Sequence, residues 1–303
     1  MVMPSANIEV EHLTHYRYAA PVDQAQHLAY LRPRDGAAQQ VEAFDLRIEP
    51  APMHRRDESD RLGNARCTFT VCAPHSELRV CARSRVTIDV EPDFDAGTSL
   101  PWEAVREGLR YVAGASFEPA SEFLYASPYI PLLPALRALA LPSFTPGRPV
   151  AQAAIDLMAR IHERFAYRSA STEVDTPLAE VLTKREGVCQ DFAHVAIGAL
   201  RAMGLAAHYI SGYLLTVPSH GAGGAPLLGA DASHAWLAVW CPLAGDAPAR
   251  WLELDPTNNL LPGQGHIRLA IGRDYGDVTP LRGVIRGGGE HRLEVRVRTA
   301  KLA

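Results

Sequence analysis

The sequence predicts an α+β protein: an antiparallel β-sandwich, then a group of helices, then a second set of antiparallel strands. Three observations carry that expectation. Over residues 7–90 apolar residues alternate with period two; from Pro149 the period becomes helical; and after Gly204 strand-like runs follow one another without helices between them. A parallel sheet would require strands and helices to alternate along the chain. With 303 residues, two domains fit better than one.

The sandwich is assigned to residues 1–95. Its strands are read at Ile8, Val10 and the tyrosines near Tyr16, then over residues 41–48, 65–72 and 78–90, with breaks at Pro33-Arg34-Asp35-Gly36 and Leu62-Gly63-Asn64. Residues 96–148 are rich in Pro, Ser and Gly and read as a connector across the domain boundary, with short helices near residues 102–112 and 133–141. The core is assigned to residues 149–303. Val150, Ala154, Leu157, Met158 and Ile161 line one helix face, and Pro149 suits a first turn. A second helix is expected from Thr176-Pro177 and a third from about Cys189 to Gly204, where glycine tolerates the left-handed conformation. Strands are expected over residues 206–217, 233–240, 250–254, 267–271 and 292–298.

Composition narrows the function. Thirty basic residues against 34 acidic ones leave a charge of −4, which offers no general attraction to nucleic acid or an anionic membrane. At 47% hydrophobic and 21% charged the chain is neither disordered nor a coiled coil. Arg83 and Arg85 read as a solvated strand face. No signal segment is visible at the start, and the apolar run 192–217 contains His194, Arg201, Gly204 and His208, so it reads as a buried helix followed by a buried strand. A cytoplasmic protein is expected. Five cysteines, without a Cys-x-x-Cys pair, argue against a disulfide framework and structural zinc; Cys67, Cys72 and Cys81 read as small buried hydrophobes.

Three segments carry chemistry. Cys189 comes two residues after Gly187 and opens an apolar helix, where free N–H groups and the helix dipole favour a thiolate. His234 lies in a strand with apolar neighbours, and Asp255 ends a strand before a proline. Taken singly, the histidine fits a satisfied core residue and the aspartate a turn former. Their order, however, fits a helix-borne nucleophile facing two neighbouring strands that supply a base and the residue orienting it.

Gly187-Val188-Cys189-Gln190-Asp191-Phe192-Ala193, Ala232-Ser233-His234-Ala235-Trp236 and Asp255-Pro256-Thr257-Asn258 resemble the signature blocks of the transglutaminase-like superfamily. Tyr209 to Tyr213, the tail from Gly272 to Leu281, and His12 to Tyr18 with Leu31 to Arg34 in the sandwich resemble its bacterial members, which are described as cysteine proteases. The resemblance implies a papain-like core with a Cys189-His234-Asp255 triad that acts on amide or isopeptide bonds through a thioester, hydrolysis ahead of transamidation. The substrate would be a peptide or protein amide.

An oxyanion site would use the backbone N–H of Cys189, with Gln190 and Tyr167 as side-chain candidates. Asp191 opposes a thiolate two residues away and reads as structural, tied to backbone donors or a cation. No stretch offers the closely spaced oxygen ligands of a calcium loop, so no metal and no cofactor are expected. The Asp191 and His194 spacing reads as accidental. Gln190 stands where animal transglutaminases have tryptophan, so their substrate preferences do not transfer. Trp236, Trp240 and Trp251 are expected to pack around the site, Gly221 to Gly224 to form a surface loop, and residues 286–290 a hairpin turn. The alternative reading is a non-catalytic papain-like scaffold that binds a peptide or protein partner.

Overall fold

The computed structural model describes residues 5–90, 94–114, 116–169, 172, 174–215, 227–228, 233–245 and 248–302. The period-two segment forms β1 (Ala6–Ala29), β2 (Gln39–Glu49), β3 (His54–Ser59), β4 (Ala65–Val71) and β5 (His75–Ile88). β1 spans 24 residues and is the centre of one antiparallel sheet. Along one of its edges β4 and then β5 run antiparallel to it, from Ala29 opposite Cys67 to Ala6 opposite Ile88. β2 and β3 add outside them. The register of β1 shifts between Arg17 and Val22, and residues from both sides of that shift, including Tyr18, Leu46, Leu78 and Val80 with Ala25, Cys67, Phe69 and Val71, share one apolar cluster. The sandwich is thus made by one interrupted sheet. Arg83 and Arg85 are exposed, as expected of a solvated face.

The connector contains α1 (Trp102–Gly108) and α2 (Pro134–Ala140). It is less a bridge between domains than part of the core: Trp102, Val105, Phe123, Ile130 and Leu136 belong to the same apolar cluster as the helices that follow. The buried Arg201 guanidinium ties it down, donating to Phe123 O at 2.9 Å and Ser127 Oγ at 3.2 Å.

The core comprises α3 (Val150–Arg164), β6 (Ala166–Tyr167), α4 (Leu178–Lys184), β7 (Glu186–Gly187), α5 (Cys189–Ala202), β8 (Ala207–Leu214), β9 (His234–Cys241), β10 (Arg250–Leu254) and β11 (His266–Gly272). α5 ends before Gly204, whose φ of 80° continues the chain where a side chain would be strained. The strands form an antiparallel sheet in the order β10-β9-β8-β11. Every residue of β8 is buried. Its inner face meets the helices, while Tyr213 packs against Ile8, Val10 and Ile88 of the sandwich, so the long apolar run is buried on both sides. Among the described residues no helix is long and apolar enough to cross a membrane.

The C-terminal limit differs from the expected core of residues 149–303. β12 (Leu281–Gly287) and β13 (His291–Lys301) leave the core and run antiparallel to β1 along its other edge. That edge would otherwise leave a long row of unpaired N–H and C=O groups. β12 and β13 point the same way, so residues 286–290 are not the expected hairpin turn. They make a bend, with positive φ at Gly287, Gly288 and Gly289, that follows β1 where Gly288 N donates to Pro21 O.

Candidate active site

Cys189 is the first residue of α5 and is partly exposed. The turn that presents it is built by Asp191, whose Oδ2 accepts from Val188 N at 2.8 Å and from Thr172 Oγ1 at 2.6 Å. This satisfies a backbone donor at the helix start. Gly187 makes room for it, since a β-carbon there would come within 2.6 Å of that carboxylate. Burial pushes the Asp191 carboxyl up, against these two hydrogen bonds that lower it. Asp191 therefore serves the helix start, as its structural assignment anticipated. His194 points elsewhere, accepting from Tyr275 N at 3.2 Å, so the pair makes no metal site.

His234 opens β9 and Asp255 follows the end of β10. The two strands pair antiparallel, with Leu254 opposite Leu237, which brings both residues to one end of the sheet. His234 Nε2 donates to Asp255 Oδ2 at 2.8 Å, and both side chains are fully buried. Asp255 also forms its own turn, its Oδ1 accepting from Thr257 N at 3.0 Å and Asn258 N at 3.2 Å, so the turn-forming role and the orienting role coincide. With Nε2 held by Asp255, Nδ1 is the ring nitrogen left to exchange a proton. It is buried and has no hydrogen-bond partner among the described residues. Burial lowers the His234 pKa, but Asp255 and the neighbouring Cys189 side chain outweigh it and raise it to about 10. Burial likewise opposes ionisation of Asp255, yet the bonds from His234 and His266 hold it well below the usual carboxylate range.

His266 is the residue that sequence reasoning missed. It opens β11, is 2% exposed, and its Nε2 lies 3.1 Å from Asp255 Oδ2. A lone histidine heading an apolar strand carries no pattern; the one available signal was that His234 heads its strand in the same way. His234, Asp255 and His266 bring ligand-type atoms within 4.8 Å of one another. Their N–O separations, 2.8 and 3.1 Å, are hydrogen-bond lengths, and since an ionised carboxylate only accepts, the three form a hydrogen-bonded network.

The secondary candidates divide. The Gln190 amide donates to Val174 O at 3.1 Å, and Tyr167 lies in β6 beside β7, two residues before Cys189. Of the tryptophans, Trp236 is at the site, its ring stacked at 5.9 Å from His234, while Trp240 and Trp251 pack against each other and Trp251 also against the Trp236 cluster. Cys72 is exposed, unlike the buried thiol expected there, because it follows the last residue of β4. The Gly221 to Gly224 loop and Ala232 lie outside the described residues.

A cysteine at a helix start beside a histidine that is itself bonded to an aspartate at one end of an antiparallel sheet goes with a transglutaminase-like fold, that of a class of cysteine-based enzymes. The chain belongs to the transglutaminase-like superfamily: the model of that superfamily matches residues 137–256, and that of the bacterial transglutaminase-like N-terminal region matches residues 8–87. An uncharacterized Mycobacterium tuberculosis protein is 43% identical over 94% of this chain and 89% of its own length. One from Mycobacterium leprae is 31% identical over 98% and 99%. A Cytophaga hutchinsonii structure described as a candidate cysteine protease shares the fold, with a TM-score of 0.74 and 20% identity over 100% of this chain and 93% of that one.

Proposed function

We propose that the protein is a cysteine-nucleophile enzyme acting on amide or isopeptide bonds through a thioester, hydrolysis ahead of transamidation, with Cys189 as nucleophile, His234 as base and Asp255 as the residue that orients it. The buried His234–Asp255 hydrogen bond carries this reading, because it ties up Nε2 and leaves Nδ1 as the nitrogen that exchanges a proton with Cys189. With the Cys189 proton already transferred to His234 Nδ1, the sulfur attacks the carbonyl carbon as a thiolate. The C–N bond then breaks, and the imidazolium returns the proton to the leaving amine. In the second half water gives its proton to Nδ1 and attacks the thioester, which releases the acid and restores the thiolate beside the imidazolium; an amine in place of water gives transamidation. Backbone N–H groups at the start of α5 face the developing oxyanion. Tyr167 remains a candidate donor; Gln190 would first have to release Val174 O. All five cysteines are free thiols, which supports a cytoplasmic setting.

The test is to expose the protein to a lysate of its native cell and map acyl mass increments on Cys189. An increment absent from Cys189→Ala supports the reading, and added hydroxylamine or a primary amine distinguishes transfer from hydrolysis. Unchanged amide turnover by Cys189→Ala would overturn it.

A further inference from the structure

We propose that His266 is a positioning residue for the site, a second imidazole that shares Asp255 Oδ2 with His234 and thereby sets how strongly that carboxylate holds the His234 imidazolium. The inference rests on the triad reading above. β9 and β11 flank β8 and run in the same direction, so His234 and His266, which head them, lie at the same end of the sheet. Gly212 of β8 is opposite both His234 and Arg268, and its missing side chain lets Trp236 cross β8, where its ring stands 5.3 Å from His266 at 81°. The indole is pinned by Nε1 donating to Glu253 at 2.9 Å, and Glu253 is in turn paired with Arg268 at 2.5 Å.

Asp255 Oδ2 thus accepts from His234 at 2.8 Å, His266 at 3.1 Å and Asn258 Nδ2 at 2.8 Å. One carboxylate balances one cation, and the cation is assigned to His234. Burial and the neighbouring His234 charge lower the pKa of His266, against Asp255 and Glu253 which raise it. A neutral His266 donates Nε2–H and draws electron density from Oδ2, which weakens the competing bond to His234. The groups acting on His234 are then Cys189 from α5, Asp255 after β10 and His266 from β11, with the Glu253–Arg268 pair beyond Trp236.

The experiment is the pH dependence of Cys189 carboxymethylation by iodoacetate in the full-length protein. This anionic reagent is drawn to the His234 imidazolium, so its rate falls as that proton leaves. His266→Phe removes the donor, and His266→Asn, whose shorter amide cannot reach Asp255, does so with a polar side chain. Both are expected to move the alkaline limb up by about half a pH unit or more. His266→Gln, which returns an N–H near the Nε2 position, is expected to restore it. Folding of each variant is checked by thermal melting. If folded His266→Phe and His266→Asn keep the wild-type limb, the positioning role is overturned while the triad stands. If wild type itself lacks a limb that His234→Gln abolishes, the triad reading falls, and this inference with it.

Discussion

A β-carbon on Gly212 would lie 2.3 Å from the Trp236 ring and 2.2 Å from Ile267 O. The glycine is therefore what allows a fully buried indole to lie across the sheet beside two imidazoles. Because one of the opposing atoms is backbone, a side chain at this position has no cheap relaxation.

Gly212→Ala is accordingly expected to cost about 3 kcal/mol, the upper part of the overpacking range. It should also slow Cys189 alkylation in the protein that remains folded, since Trp236 must leave its place against His234. Denaturant melts and alkylation rates together check this, and a stability loss with wild-type alkylation would separate the indole from the site.

Asp255→Asn keeps the shape of the turn but offers an amide where His234 Nε2 needs an acceptor. The ring is then free to take the other tautomer. A fall in kcat of about 10⁴ is expected, the size seen when such an orienting carboxylate is neutralised. Single-turnover assays on whichever amide substrate the acyl mapping identifies would measure it.

Asp191→Ala removes the acceptor of Val188 N and Thr172 Oγ1 at the start of α5. The expected loss is about 1–2 kcal/mol, the range of a helix cap, and Asp191→Asn, which keeps one acceptor oxygen, should lose less. Urea midpoints at neutral pH decide it.

Stability should fall steeply in acid. Burial lowers His12, His27 and His194 to about 4 and His208 to about 3, so the folded protein holds them neutral where the unfolded chain is charged. Their contribution is complete above about pH 6.5 and is lost as pH falls from there through 4, each proton contributing up to about 1.4 kcal/mol per pH unit. His234 has the opposite sign. Its pKa is raised to about 10, so its contribution is complete below about 6.5 and is lost as pH rises through 10. Urea midpoints across pH 4–10 are expected to drop sharply on the acid side and gently on the alkaline side.

Much of the site could be read from local sequence because its chemistry is local. A glycine, a cysteine and an apolar run define a helix start, and a histidine and an aspartate on adjoining strands are brought together by ordinary antiparallel pairing. His266 could not be read in this way, since its partner is fixed by β11 joining β8 rather than β9, a choice that period-two alternation does not encode. The same limit explains β12 and β13: alternation announced a strand over residues 292–298 but none over β12, and the demand for both came from the open edge of β1 more than 200 residues away. Residues 286–290 carried a turn-like composition, but whether three glycines reverse a chain or bend it depends on the neighbouring strand, here β1 at its own register shift.

The central claim is that Cys189 is activated by His234, and relative thiol reactivity tests it most directly. Cys189 is partly buried and Cys72 is exposed, so accessibility favours Cys72. With iodoacetamide below stoichiometry at neutral pH, peptide mapping should find Cys189 labelled first, and His234→Gln should bring its rate down to that of Cys72 or lower. Labelling of Cys72 ahead of Cys189 in the wild type, or a Cys189 rate unaffected by His234→Gln, would contradict the account.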